Sequence, residues 1–201
     1  MWNTDTLACG IDEVGRGCFA GPLVASGVIL KPIKDKSLQK YILSFGINDS
    51  KLLSAKKRKL LKEITAEFIL YSEVHYVPVS EINMFGIGDA NKNAFLNVSL
   101  KILDKTKDQK LVFLTDAFKI PEIPISIQKN IIRGDKTSIS IALASILAKV
   151  ERDTFMENLS LDFPDYGFEK HKGYGTKLHR EFLKTKGASI HHRTEFIKNY
   201  I

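Results

Sequence analysis

Four acidic residues occupy positions where carboxylates can act together: Asp12 and Glu13 side by side, Asp116, and Asp153. Asp12 and Glu13 follow the apolar run Leu7 to Ile11, so a strand there delivers two carboxylates at once. Neighbouring side chains of a regular strand point to opposite faces, so a shared role requires the pair to sit where the strand ends and the chain turns. Gly15 and Gly17 supply that freedom. A second apolar run, Leu111 to Thr115, also ends on an acid, Asp116, and adjacent strand ends in an α/β sheet commonly face one ligand crevice. Asp153 arrives on a helix. Ile139, Ile146 and Val150 draw an apolar stripe that Asp153 continues, at i+7 from Ile146 and i+3 from Val150.

An acid on a buried stripe is costly unless it is paired or bound to a metal. Converging carboxylates repel and raise one another's pKa, and a hard divalent cation with oxygen preference, Mg²⁺ or Mn²⁺, is the simplest stabiliser. Taken singly, two of the acids have plainer explanations: Asp116 caps a following turn, or Asp153 pairs with Arg152 or Lys149.

The loops between these acids carry groups suited to a sugar-phosphate chain. Gly15-Arg16-Gly17 lets backbone approach a phosphodiester closely, or is simply a tight turn. Its spacing, G-x-G-x-x-x-G with Gly21, is one residue too long for a dinucleotide fingerprint, and the two acids before it would repel a pyrophosphate. Asn48-Asp49-Ser50-Lys51 precedes a helix whose first turn holds Lys56, Lys57, Arg58 and Lys59. Cations there oppose the helix dipole, which a nearby phosphate would offset; a solvated face is the alternative. Gly134-Asp135-Lys136-Thr137-Ser138 opens the long helix, with Asp135, Thr137 or Ser138 as caps. In His171-Lys172-Gly173-Tyr174-Gly175-Thr176, a glycine-flanked tyrosine either packs structurally or stacks on a sugar or base and bonds a 2′-hydroxyl. The other histidines, His75, His179, His191 and His192, lack zinc spacing and read mostly as surface or packing residues.

The elements that must position these residues follow from periodicity. Strands are predicted at Leu7 to Ile11, Leu23 to Leu30, Phe68 to Val77, Leu111 to Thr115 and Ile125 to Ile132. Helices are predicted at Ala55 to Ile64 after Ser54 as N-cap, with Leu60, Leu61 and Ile64 on one face, and at Asp89 to Leu103, Thr137 to Glu157, Thr176 to Thr185 and Thr194 to Tyr200. A hairpin-type start followed by strand-helix alternation predicts an α/β layered domain with a mixed sheet. The 201 residues, 44% hydrophobic, suit one catalytic domain, with residues 176 to 201 as a small C-terminal helical extension.

Thirty Lys and Arg against 23 Asp and Glu leave a formal charge of +7, which favours a polyanionic partner. Cys9 and Cys18 form no metal pattern and no disulfide framework, so a reducing cytoplasm is expected. No basic leader precedes an apolar run, and no segment approaches the roughly 20 apolar residues of a membrane span.

The ordered motifs GIDEVGRG, AGP, NDSK, GDKTS, ASILAKVERD and HKGYGT span nearly the whole chain and together resemble ribonuclease HII. The resemblance implies the ribonuclease H fold, a mixed five-stranded sheet flanked by helices. It implies Asp12, Glu13, Asp116 and Asp153 as the metal-binding catalytic acids, and Gly15, Arg16, Gly17 and Tyr174 as readers of the RNA-DNA junction, with Ser50, Lys51 and Lys136 beside them on the substrate. Expected partners are RNA/DNA hybrids and duplex DNA containing ribonucleotides, acted on by a monomer away from membranes. The expected chemistry is two-metal-ion hydrolysis, cutting 5′ of the ribonucleotide and leaving 5′-phosphate and 3′-hydroxyl ends. Where the family has a proline before an HRRSF-like run, this chain has Ile190-His191-His192-Arg193-Thr194-Glu195-Phe196. The rival readings are a DNA-cutting nuclease of the same fold, such as a resolvase or integrase, and a non-catalytic nucleic-acid-binding module.

Overall fold

A computed structural model describes residues 5–47, 53–107, 109–116 and 118–201. Its strands are β1 (Thr6–Val14), β2 (Leu23–Leu30), β3 (Ile69–Val77), β4 (Lys110–Asp116) and β5 (Gln128–Ile131). They form one sheet in the order β3-β2-β1-β4-β5. The first three are antiparallel neighbours, β2 folding back on β1 through a short turn and β3 returning beside β2 after the helical segment between Leu30 and Ile69; β4 joins β1, and β5 joins β4, in parallel. This is the mixed sheet expected from the sequence.

Two long helices cover the sheet. α3 (Val79–Lys105), broken at Gly86, buries Phe95, Val98 and Ile102 against Cys9, Ile11, Ala25 and Ile29. α5 (Ile139–Asp162) lies on the opposite face. There a Cβ on Gly10 would stand 2.2 Å from the backbone of Ser140 and Ile141, so only glycine admits the helix so close. The Ser26 hydroxyl donates to the Ala144 carbonyl at 2.7 Å. The period of two along β1 sends Cys9 and Ile11 to the α3 side and Gly10 and Asp12 to the α5 side.

Shorter helices complete the fold: α1 (Lys36–Ser44), α2 (Ala55–Thr65), α4 (Gly134–Thr137), α6 (Phe168–His171), α7 (Lys177–Lys186) and α8 (Thr194–Ile197). Ser54 caps α2 as expected, its hydroxyl accepting from the Lys57 amide. The helix predicted from Thr137 to Glu157 is α5, which begins at Ile139 because Ser138 is extended, while Thr137 closes the short α4 before it. β5 starts later than predicted, after a 3-10 turn at Ile125–Ile127 that follows Pro124; a proline offers no donor to a ladder. Leu60 stays exposed while Arg58 and Leu61 turn inward. Among the described residues, no helix is long and apolar enough to cross a membrane.

Candidate active site

The parallel register of β1 and β4 pairs Ile11 with Thr115, so the next residues, Asp12 and Asp116, emerge side by side. The expectation that β1 itself ends at the acids is corrected: its pairing with β2 continues through Glu13↔Ala25 to Val14↔Val24. It is β4 that stops, and the acids stand where β1 loses its neighbour on that edge. The turn follows at Gly15, whose φ of +97° and close approach to Arg152 exclude a side chain. Gly17 is different: space around it is open, which leaves its backbone accessible.

Each carboxylate is held differently. Asp12 hydrogen-bonds the Ser145 hydroxyl of α5 and the Glu13 backbone. Its pKa is pushed up to about 7, first by loss of hydration, then by repulsion from Glu13 and less from Asp116. Glu13 has Arg16 nearby, at 3.6 Å. Asp116 accepts the Gly134 amide at 3.1 Å, so it caps α4, the short helix on which Lys136 is exposed. Asp153 is buried, at 6% exposure, and is paired with Lys149 at 2.7 Å and with Arg58 at 3.1 Å. The Lys149 pairing is one of the plainer explanations given above for Asp153; Arg152 turns elsewhere. Arg58 is the cation whose conflict with the α2 dipole is offset, by Asp153 and by the Leu53 carbonyl at 2.5 Å.

The oxygen-only donor set, and a half-buried Asp12 that resists its own charge, suit a hard divalent cation. Among the described residues no three Asp, Glu, His or Cys side chains are gathered as closely as an enclosed metal requires. Asp153 in particular is committed to Arg58 and Lys149.

The turn after Gly15 meets the Tyr174 loop. Cys18 and Tyr174 form a bridge, and the Tyr174 hydroxyl bonds the Cys18 thiol, with burial pushing the phenol up to about 12. Lys149 and Arg152 lie 5.1 and 5.6 Å from the ring centroid. A Cβ on Gly173 would strike the Ala20 carbonyl, and one on Gly175 the Phe19 ring, which explains the glycines on both sides. Ser50 and Lys51 lie outside the described residues. The structure thus sets Asp12 beside Asp116, with Glu13 within electrostatic reach of Asp12, and leaves Asp153 with Arg58 and Lys149; the Gly15-Arg16-Gly17 turn meets the Tyr174 loop through Cys18.

Sequence reasoning named Arg58 and Arg152 without their buried roles, as partner of Asp153 and as donor to backbone carbonyls, and missed Arg193; the reading of the histidines as surface or packing residues holds for His179 and His192, which join His171 in a buried group. His179 Nδ1 donates to the Tyr174 carbonyl at 3.0 Å, and His192 Nδ1 accepts the Ser189 amide at 2.9 Å, so His192 Nε2 donates to His179 Nε2 at 3.0 Å. His171 Nε2 donates to Tyr166 O and its Nδ1 accepts the Gly173 amide. These are packing residues in complementary neutral tautomers. The only sequence signal was their place around HKGYGT and HHR.

Comparison with solved structures defines the class. The ribonuclease HII in the PCNA:RNase HII complex of Archaeoglobus fulgidus matches with a TM-score of 0.75 at 26% identity, over 96% of each chain. Bst-RNase HIII in complex with Mn²⁺ matches at 0.73, with 18% identity over 98% of this chain and 70% of that one. Together with the acids at neighbouring strands, these define a nuclease of the ribonuclease H type, a hydrolase acting on nucleic acid. The sequence profile of Ribonuclease HII matches residues 9–199. Ribonuclease HII of Clostridioides difficile (strain 630) is 45% identical over 192 residues, 96% of this chain and 70% of that protein. That of Caldicellulosiruptor bescii is 43% identical over 194 residues, covering 96% and 87%. The chain belongs to the ribonuclease HII family.

Proposed function

We propose that this ribonuclease H hydrolyses the RNA strand of RNA/DNA hybrids and cuts 5′ of ribonucleotides embedded in duplex DNA, leaving 5′-phosphate and 3′-hydroxyl ends, in the service of ribonucleotide removal during replication and repair. The observation that carries this reading is the side-by-side emergence of Asp12 and Asp116 from β1 and β4, next to a glycine turn and a half-exposed tyrosine. Asp12, Glu13, Asp116 and Asp153 would hold two divalent cations, Mg²⁺ or Mn²⁺, which when bound supply water activation and stabilisation of the leaving oxygen. Asp153 would take part by exchanging its ion pairs with Arg58 and Lys149.

The remaining work falls to the chain itself. Gly17, with no neighbour in the space above it, lets the sugar-phosphate backbone approach, and Arg16 offers a charge to phosphate. Tyr174 presents its ring to a sugar beside the scissile bond, where a 2′-hydroxyl distinguishes RNA from DNA. Lys136, Ser50 and Lys51 contact flanking phosphates. A single catalytic domain acting as a monomer in the cytoplasm belongs to the same proposal.

The deciding assay offers three duplexes: an RNA/DNA hybrid, DNA with one embedded ribonucleotide, and DNA alone. Each is tested with Mg²⁺, Mn²⁺ and chelator, and the cut is mapped. Cleavage of the first two only, 5′ of the ribonucleotide and abolished by chelator, is expected. Cutting of all-DNA duplex, or activity in chelator, would sink the reading.

A further inference from the structure

Arg193 is fully buried between α7 and α8, yet among the described residues no carboxylate receives it. Its guanidinium donates to the carbonyls of Gly15 at 2.6 Å, Arg16 at 3.1 Å, and Gly21 at 3.0 and 2.8 Å. Its amide donates to the Phe19 carbonyl at 2.7 Å, and the His191 carbonyl accepts the Gly21 amide at 2.9 Å. One side chain from the end of the chain therefore spans both ends of the turn that carries Arg16.

Arg152 grips the same turn from the other side. One residue before Asp153 on α5, it donates to Pro22 O, Ala20 O and Lys172 O at 2.9, 2.9 and 2.7 Å, and its guanidinium lies over the Tyr174 ring. A planar guanidinium can serve several carbonyls at fixed angles, which an ammonium cannot. Desolvating a cation is expensive, whereas water could satisfy the carbonyls of a free surface turn. The cost is explained if what is maintained is the shape of the turn and its distance from Tyr174.

We infer that Arg193 is a positioning residue for ribonucleotide selectivity, holding the Gly15-Arg16-Gly17 turn at a fixed distance from Tyr174 so that both meet one sugar. The inference rests on the proposed function and adds to it the source of the turn's rigidity. The C-terminal segment thereby acts on substrate choice without touching substrate. Its anchor is Asn83 on α3, exposed, which donates to the His192 carbonyl at 3.2 Å and accepts the Thr194 amide at 3.0 Å.

The test compares the wild type with Arg193→Lys and Asn83→Ala on the embedded-ribonucleotide duplex and the long hybrid, well below each melting temperature. Hydrogen exchange of residues 15–21 is followed in parallel. Arg193→Lys should lower kcat/KM on the embedded ribonucleotide about tenfold more than on the hybrid, the scale expected when a positioning group shifts by a fraction of an ångström, and should speed exchange in the turn. Asn83→Ala should act in the same direction, more weakly. An equal loss on both substrates, as a purely structural role predicts, overturns the inference. Should Arg193→Lys not fold, Asn83→Ala decides: faster exchange with an unchanged substrate ratio overturns it. A wild type that cuts neither duplex overturns the functional reading and this inference together, whereas a selective wild type with unaltered ratios in the variants overturns the inference alone.

Discussion

Asp12 and Asp116 owe their nearness to strand register, whereas the turn 15–21 and the Tyr174 loop owe theirs to buried arginines and histidines. The contrast follows from what each side must hold. A ladder of backbone bonds holds Asp12 beside the end of β4, where loss of hydration first, then repulsion from Glu13 and less from Asp116, raises its carboxyl to about 7. The loops have no ladder. Their carbonyls are met instead by Arg152 and Arg193, and their histidines stay neutral in one fixed chain of donors. One side of the site is thus strained and open to a cation; the other is satisfied and rigid.

The sharpest way to break this comparison is to discharge the strained side. Asp12→Asn removes the repulsion with Glu13 and Asp116 while leaving the strand intact. Hybrid cleavage should fall by about a thousandfold or more, yet the melting temperature should hold or rise. A fall in both would show that Asp12 is structural. The opposite pattern is expected on the other side: Arg152→Met leaves three backbone acceptors without their donor, at about 1–3 kcal/mol each. Calorimetry should show a melting temperature lower by roughly 10 °C; a drop of only a degree or two would mean that water replaces the guanidinium.

The same division explains what the sequence disclosed. Asp116 was legible because an apolar run ends on it, and the strands and the α2 cap because their patterns are local. Asp153 was legible as an anomaly on an apolar stripe, but not its partner Arg58, which is 95 residues away in the chain and looks like one more cation in a lysine-rich turn. Arg193 and Gly15 are 178 residues apart. No periodicity announces an arginine that binds carbonyls, because its partners are backbone atoms of any residue type. The extended Ser138 before α5 and the late start of β5 were lost for a related reason: both depend on a backbone geometry that the side-chain pattern does not record.

The histidine group allows a reversible test of the satisfied side. Burial holds His179 down at about 3, with His171 adding to the shift, and burial holds His192 down at about 4. Both lie below the usual value near 6.5, so between those limits the unfolded chain binds protons that the folded chain refuses. The stability these two histidines contribute is therefore complete above about pH 6.5 and declines as pH falls towards 4, by up to about 1.4 kcal/mol per pH unit for each group, while Asp12, raised to about 7, offsets part of that decline over the same window. Urea unfolding at pH 7.5 and pH 5 should show this decline, and a His192→Gln variant that still folds should show a shallower one. An equal slope in the variant would assign the acid sensitivity to other groups.

The smallest effect should come from the place where the two sides touch. The Tyr174 hydroxyl is already bonded to the Cys18 thiol, and Lys149 and Arg152 stand over the ring, so the aromatic face rather than the hydroxyl is the part fixed for substrate. Tyr174→Phe keeps that face and loses one weak bond to sulfur, and should change the preference for an embedded ribonucleotide over a hybrid by about threefold or less, under 1 kcal/mol. Tyr174→Ala removes the face and should cost the preference itself, by about tenfold, in line with about 1–3 kcal/mol for a stacked aromatic. Measuring both ratios separates the two roles of the residue: equal losses in Phe and Ala would assign the reading to the hydroxyl, and would require its bond to Cys18 to open when substrate binds.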